Sequence, residues 1–219
     1  MTAYERVKAR IPAHVTLIAV SKLQSVAAIR ELYELGQRDF GENYVQELRD
    51  KAEKLEASGC HGIRWHFIGH LQTNKVRLLI PHVFAVHSLD SIKLARELER
   101  CWKSAGRENR LPVFIEVNID QESSKSGVSP GETAALAQEL SDFSALKLEG
   151  LMCVPKSGSG EKPTAGAFSR LKDLELRCRP FSGAKLSMGM SSDFEVAITE
   201  GATHVRVGTA LFGERTASG

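Results

Sequence analysis

The 219-residue chain has no run approaching the roughly 18 uninterrupted apolar residues that a membrane-spanning helix needs. Its opening, "MTAYERVKARIPAHV", carries charges of both signs and a proline, and lacks the apolar centre of a secretory signal. An excess of one charge is missing as well. The 29 basic and 27 acidic residues are interspersed, so no basic tract invites nucleic acid. The four cysteines, Cys60, Cys101, Cys153 and Cys178, include no C-x-x-C pair, which fits reduced thiols in a cytoplasm and speaks against a disulfide framework. His66 and His70 stand four apart in "WHFIGH", but that segment reads as a strand and no third ligand accompanies them, so no metal site is expected. What remains is an ordinary globular composition, 42% hydrophobic and 26% charged, in a chain long enough to bury a core.

What is present is alternation. After a first short helix, "VTLIAVSK" is a buried-type strand, and "SVAAIRELYELG" carries apolar residues at Val26, Ile29, Leu32, Tyr33 and Leu35, a helical stripe closed by Gly36. The same pairing recurs through "RDFGEN" and "YVQELRDKAEKL", "RWHFIGH" and "TNKVRLLI", "VFAVHS" and "SIKLARELERCWKSAG". Four more strands, "PVFIEVNI", "KLEGLMCV", "AKLSMGM" and "HVRVGTALFG", complete about eight units. That count predicts a parallel sheet closed into a single-domain (β/α)8 TIM barrel over residues 1–219, with an extra N-terminal helix. A doubly wound open sheet is the competitor, but no Gly-rich dinucleotide fingerprint follows the first strand. The flexible-looking "KSGSGEKPTAG" falls inside a strand-to-helix connection and reads as a loop.

Barrels of this kind do chemistry at the C-terminal ends of their strands. Lys22 falls there, on the face that Thr16, Ile18 and Val20 use for packing. Asn43, His70, Asn118, Met152 with Cys153, Ser191 with Ser192, and Gly208 with Thr209 fall at other strand ends and outline a polar mouth. Ser191 and Ser192 precede a helix whose first turn carries Asp193 and Glu195, so one serine serves as a cap. Two hydroxyls beside free helix N–H groups also suit an anion, and Gly208-Thr209 forms a second small-residue turn after the last strand, where such barrels often hold phosphate. Alternation along "HVRVG" turns Val205 and Val207 to the outer helices and Arg206 into the barrel. A buried guanidinium requires an anionic or hydrogen-bonding partner, with Glu116 one possibility.

The blocks "AVSK", "DFGENYVQE", "HFIGHLQTNK", "SKSGV", "EGLM" and "LSMGMSSDFEVAITEGATHVRVGTALFGER" occur in an order and spacing that resemble the pyridoxal phosphate homeostasis family, itself similar to the N-terminal barrel of alanine racemases. The resemblance covers roughly Val15 to Arg215. It implies pyridoxal 5'-phosphate (PLP) as cofactor, held as a Schiff base on Lys22. Ser191, Ser192, Gly208 and Thr209 would hold the phosphate, Arg206 would face the pyridine nitrogen, and Asn43 and Met188 would lie near the ring. One departure stands out: Gln24 replaces a lysine that many members carry two positions after the Schiff-base lysine.

The functional expectation is a cytoplasmic, monomeric PLP carrier with little or no turnover, passing cofactor to PLP-dependent apoenzymes, with no nucleic-acid or membrane partner. Any catalytic role would rest on Lys22. The alternative is an amino-acid racemase of alanine-racemase type. That reaction needs an acid or base on each cofactor face, and the chain reaches Gly219 directly after its eighth unit, before any β-rich domain that would supply the second. A cofactor-free Schiff-base aldolase also suits a barrel lysine, but leaves the phosphate cradle unexplained.

Overall fold

The computed structural model describes residues 1–156, 158 and 160–213. Thr2 starts the first element with a capping box: its hydroxyl accepts the Glu5 N–H at 3.2 Å, and the Glu5 carboxylate accepts the Thr2 N–H at 2.7 Å. Helix α1 (Ala3–Lys8) follows and buries Tyr4 and Val7. This is the extra N-terminal helix.

Eight strands come next: β1 (Thr16–Val20), β2 (Asp39–Glu42), β3 (Arg64–Phe67), β4 (Val83–Leu89), β5 (Leu111–Glu116), β6 (Leu146–Met152), β7 (Lys185–Ser187) and β8 (His204–Val207). Each pairs in parallel with its successor, and β8 pairs back onto β1 from Thr16–His204 to Ala19–Val207, which closes the barrel. Between and after them run α2 (Val26–Glu34), α3 (Val45–Ala57), α4 (Val76–Leu79), α5 (Ile92–Ser104), α6 (Thr133–Leu140), α7 (Glu161–Cys178), α8 (Phe194–Thr199) and α9 (Thr209–Phe212). The (β/α)8 barrel expected from the alternation is the observed architecture. Its shortest large-scale departure is "TNKVRLLI", where Thr73–Lys75 form a 3-10 turn and only Val76–Leu79 are α-helical before Pro81, which has no N–H to continue the ladder.

The strands pack on two sides. Outward residues such as Leu17, Ala19, Phe40, Trp65, Val205 and Val207 join the helices in one hydrophobic layer, where each large buried side chain contributes about 1.5–3 kcal/mol. The inward side is narrow. A Cβ at Gly41 would stand 2.9 Å from Ile18 Cγ2, so β2 approaches β1 closely beneath the first strand end. Much of the remaining interior is polar: His66, His87, Ser187 and Arg206 are all buried. No helix among the described residues is long and apolar enough to cross a membrane. No group of three or more His, Cys, Asp or Glu among them is placed to hold a metal ion. The final residues of the domain expected over 1–219 lie outside the described residues.

Candidate functional site

At the C-terminal mouth of the barrel a cavity of about 450 Å³ opens beside the ends of β1, β2 and β8. Lys22, Asn43, Ser191, Ser192, Arg206, Gly208 and Thr209 all line it. A larger groove of about 760 Å³, beside α7 and α8, adjoins it through Met190 and Ser192 but contains neither Lys22 nor Arg206. The smaller cavity therefore holds the chemistry.

Lys22 sits two residues past β1, half-buried, in a turn braced from behind. The Ser21 N–H donates to the Gly41 carbonyl at 2.9 Å and the Ser21 hydroxyl to Glu42 Oε1 at 2.6 Å. Lys51 Nζ reaches the Ser21 carbonyl, Glu42 Oε1 and Glu47 Oε1 at 2.6, 2.8 and 2.6 Å. Glu47 Oε1 also accepts the Leu23 N–H at 2.6 Å, and Leu23 adopts a left-handed φ of 61°. That conformation is costly for a branched residue, so the Glu47 contact helps hold it. Burial raises the Glu42 carboxyl pKa, and Lys51 opposes the shift. Glu42, Glu47 and Lys51 had no signal in the sequence beyond an ordinary helical pair at 47 and 51. Gln24 also lines the cavity.

The serines behave differently from a simple helix start. Asp193, not a serine, occupies the N-cap position of α8, and its Oδ1 accepts the Met190 N–H at 2.7 Å. Ser191 Oγ instead accepts the N–H groups of Gly208 and Ala210, at 3.1 and 3.4 Å, and so ties the loop after β7 to the turn after β8. The two small-residue turns are thereby one structure. Ser192 and Thr209 are exposed at its rim.

Arg206 points inward as alternation requires, and is only 4% exposed. Its partners are neutral: Nη1 donates to Ser187 Oγ and Nη2 to the Cys153 carbonyl, each at 2.8 Å. Glu116 makes no hydrogen bond to it among the contacts of the described residues and acts only through its field. Burial pulls the Arg206 pKa down, while Glu116 and Asp193 pull it back. Burial also pushes the Glu116 carboxyl up to about 7, with Asp90 adding to the shift and Arg206 opposing it.

Other expected residues fall elsewhere. Met188 is fully buried in the hydrophobic layer, and Met190, two residues on, lines the cavity instead. His70 is exposed and lies with Asp90 and Ser126 in a separate cleft. Asn118 turns back on its own loop, its amide bonding the carbonyl and N–H of Glu122. Cys153 contributes its carbonyl, while burial pushes its thiol up to about 12, far from a reactive thiolate. Asn43 Oδ1 is the contrasting atom: it is buried and has no hydrogen-bond partner among the described residues.

The sequence profile of the family "alanine racemase, N-terminal domain" matches residues 3–216. A pyridoxal phosphate homeostasis protein of Pseudomonas aeruginosa is 44% identical over 209 residues, covering 94% of this chain and 87% of its own length. The structure of PipY from Synechococcus elongatus with PLP bound superposes with a TM-score of 0.87 at 35% identity, covering 96% of this chain and 98% of that one. An alanine racemase of Clostridium difficile, at 15% identity and a TM-score of 0.78, shares the fold over 99% of this chain and 56% of its own. The mouth geometry, the barrel and the extent of these matches agree, and the chain belongs to the alanine racemase N-terminal domain family and, within it, to the pyridoxal phosphate homeostasis proteins.

Proposed function

We propose that the protein binds PLP in the mouth cavity, holds it covalently on Lys22, and acts in vitamin B6 homeostasis as a carrier with little or no turnover. The observation that carries this reading is that seven residues drawn from strand ends far apart in sequence, from Lys22 to Thr209, line one cavity. The residues fit the group. The unpartnered Asn43 Oδ1 offers an acceptor to a donor on the ring, and a buried unsatisfied acceptor is costly unless something meets it. Ser191, Ser192, Gly208 and Thr209 form a tied cradle for a phosphate. PLP supplies an aldehyde that condenses with a primary amine, losing water, and a ring that accepts negative charge.

The chain's own groups then divide the work. Lys22 provides the amine, and the Ser21–Glu42–Glu47–Lys51 contacts hold its turn in place. Arg206 would offer the ring nitrogen a donor, and a guanidinium cannot accept a proton or give one up near neutral pH. Such a partner would leave the ring nitrogen unprotonated and so weaken carbanion stabilisation. Lys22 and Arg206 are also the only ionisable side chains among the described residues lining the cavity. A proton lifted by Lys22 from one face of a bound amino acid has no acid there to return it from the other. This favours a carrier over a racemase. In this reading the protein works as a monomer in the cytoplasm and passes PLP to apoenzymes that use it.

The test is to add PLP to the purified protein, reduce with borohydride and map the peptides. A pyridoxyl adduct on the Lys22 peptide is expected. Incubation with L-alanine should give no D-alanine at an enzymatic rate; turnover of about 1–10³ per second would make the protein a racemase instead.

A further inference from the structure

Beneath Arg206 the barrel interior contains a continuous hydrogen-bond chain. Arg206 Nη1 reaches Ser187 Oγ at 2.8 Å, and Ser187 Oγ lies 2.8 Å from His87 Nδ1. His87 Nε2 lies 2.9 Å from His66 Nδ1, and His66 Nε2 lies 3.0 Å from Asp39 Oδ1. Arg64 closes the far end with contacts of 2.7 and 2.5 Å to the two Asp39 oxygens. The chain crosses the barrel through β8, β7, β4, β3 and β2, and all five members from Arg206 to Asp39 are buried.

The two ends dictate the polarity of the middle. A guanidinium can only donate, and an ionised carboxylate can only accept. Burial opposes ionisation of Asp39, but hydrogen bonds from His66 and Arg64 outweigh it and hold its pKa down to about 2. His66 must therefore carry its proton on Nε2, which leaves Nδ1 to accept from His87 Nε2. His87 Nδ1 must then accept the Ser187 hydroxyl proton, and the Ser187 oxygen accepts from Arg206. Each ring holds one proton and is neutral, consistent with burial pulling both His66 and His87 below the usual histidine range. Phe114 stacks on His87 with centroids 4.2 Å apart, and His204 stands edge-on to both.

We infer that Asp39, His66, His87 and Ser187 form a one-way hydrogen-bond chain that positions Arg206, holding its guanidinium as a charged donor toward the cavity. These four are positioning residues for the contact to the cofactor's ring nitrogen, and that final step rests on the PLP reading above. The construction has a physical rationale. A carboxylate directly against Arg206 would neutralise the positive potential at the cavity floor. Three neutral groups between the charges satisfy the Nη1 donor, fix the guanidinium plane together with the Cys153 carbonyl, and leave its charge facing the cavity.

Two experiments test this. In the ligand-free protein, ¹⁵N NMR of labelled histidine near pH 7 should show His66 and His87 as neutral rings protonated on Nε2, each with a hydrogen-bonded Nδ1. A ring protonated on Nδ1, or a doubly protonated one, overturns the chain's polarity. Second, Ser187→Ala should weaken PLP about tenfold, while an analogue with carbon in place of the ring nitrogen should bind wild type and variant alike. Ser187→Thr, which keeps the hydroxyl, should restore the difference between the two ligands. Equal losses for both ligands would reduce the chain to a structural polar core. Failure of the wild type to bind PLP would overturn the cofactor reading, and the histidine resonances, which need no ligand, would still decide the chain.

Discussion

Asn43 and Asn118 both stand just past the end of a barrel strand, β2 and β5, yet the fold treats them in opposite ways. Asn118 closes its own loop by bonding Glu122 at both ends of its amide. Asn43 faces the cavity with a buried oxygen that nothing among the described residues satisfies. The halves of the mouth to which they belong differ likewise. Around β1 and β8 the polar groups converge on one cavity, whereas His70, Asp90 and Ser126 across the mouth line a separate, shallow cleft. A polar strand end is therefore not yet a site. A site is where polar groups converge and remain available to a ligand.

The strongest way to break this comparison is Lys22→Ala. The visible absorption of the PLP complex and the borohydride-fixed adduct should disappear altogether, while circular dichroism shows an unchanged barrel. An unaltered spectrum would move the covalent position to another amine. Next in size, Ser191→Ala combined with Ser192→Ala should weaken PLP tenfold or more, from charge-assisted bonds worth about 1.5–3 kcal/mol each. Unphosphorylated pyridoxal should be barely affected. Equal losses for both would leave Ser191 only its role of tying Gly208 and Ala210 to the preceding loop.

The polar interior below both halves makes a separate prediction, read by thermal unfolding against pH. Burial lowers the pKa of His66, His87 and His204, the last to about 3. Such rings stay neutral in the folded state while the unfolded chain takes up protons below about pH 6.5. The contribution of these rings is complete above that value and falls as pH drops, by about 1.4 kcal/mol per pH unit for each ring that stays neutral. Glu116, pushed up to about 7, takes up its proton first in the fold and offsets about one ring's share down to about pH 4.5. Asp39, held down to about 2, adds its own loss only between about pH 4 and about pH 2. His204→Gln should flatten the upper limb, and an unchanged slope would mean that His204 is already protonated in the fold.

The smallest effects compare the two asparagines directly. Asn43→Ala should weaken PLP about fivefold with little change in melting temperature, because Asn43 Oδ1 has no hydrogen-bond partner among the described residues to lose. Asn118→Ala should leave PLP affinity within about twofold but cost about 1 kcal/mol of stability. A reversal of the two results would undo the contrast.

Much of this is legible in the sequence. Lys22 announces itself by ending an apolar strand, and Arg206 by interrupting valines at period two; both signals are local. The serine expected to cap the following helix does not do so, since Asp193 takes that place, and Ser191 instead ties two loops together. Its partners, Gly208 and Ala210, lie 17 and 19 residues away and meet it only across the β7–β8 seam. Met188, expected near the cofactor only from the family resemblance, is fully buried, and Met190 lines the cavity.

The sequence by itself determined the order of strands and helices, the closed parallel sheet, the inward turn of Arg206 and the place of Lys22 at a strand end. These follow from periodicity and turn chemistry, which act over a few residues. Only the tertiary structure decided which polar side chains meet. Ser187 and His87 are 100 residues apart, and Lys51 and Ser21 are 30 apart. Barrel closure and strand register bring these groups to hydrogen-bonding distance, and once they are buried together each donor has to find an acceptor there. That requirement, set across the width of the barrel, is invisible to any local pattern.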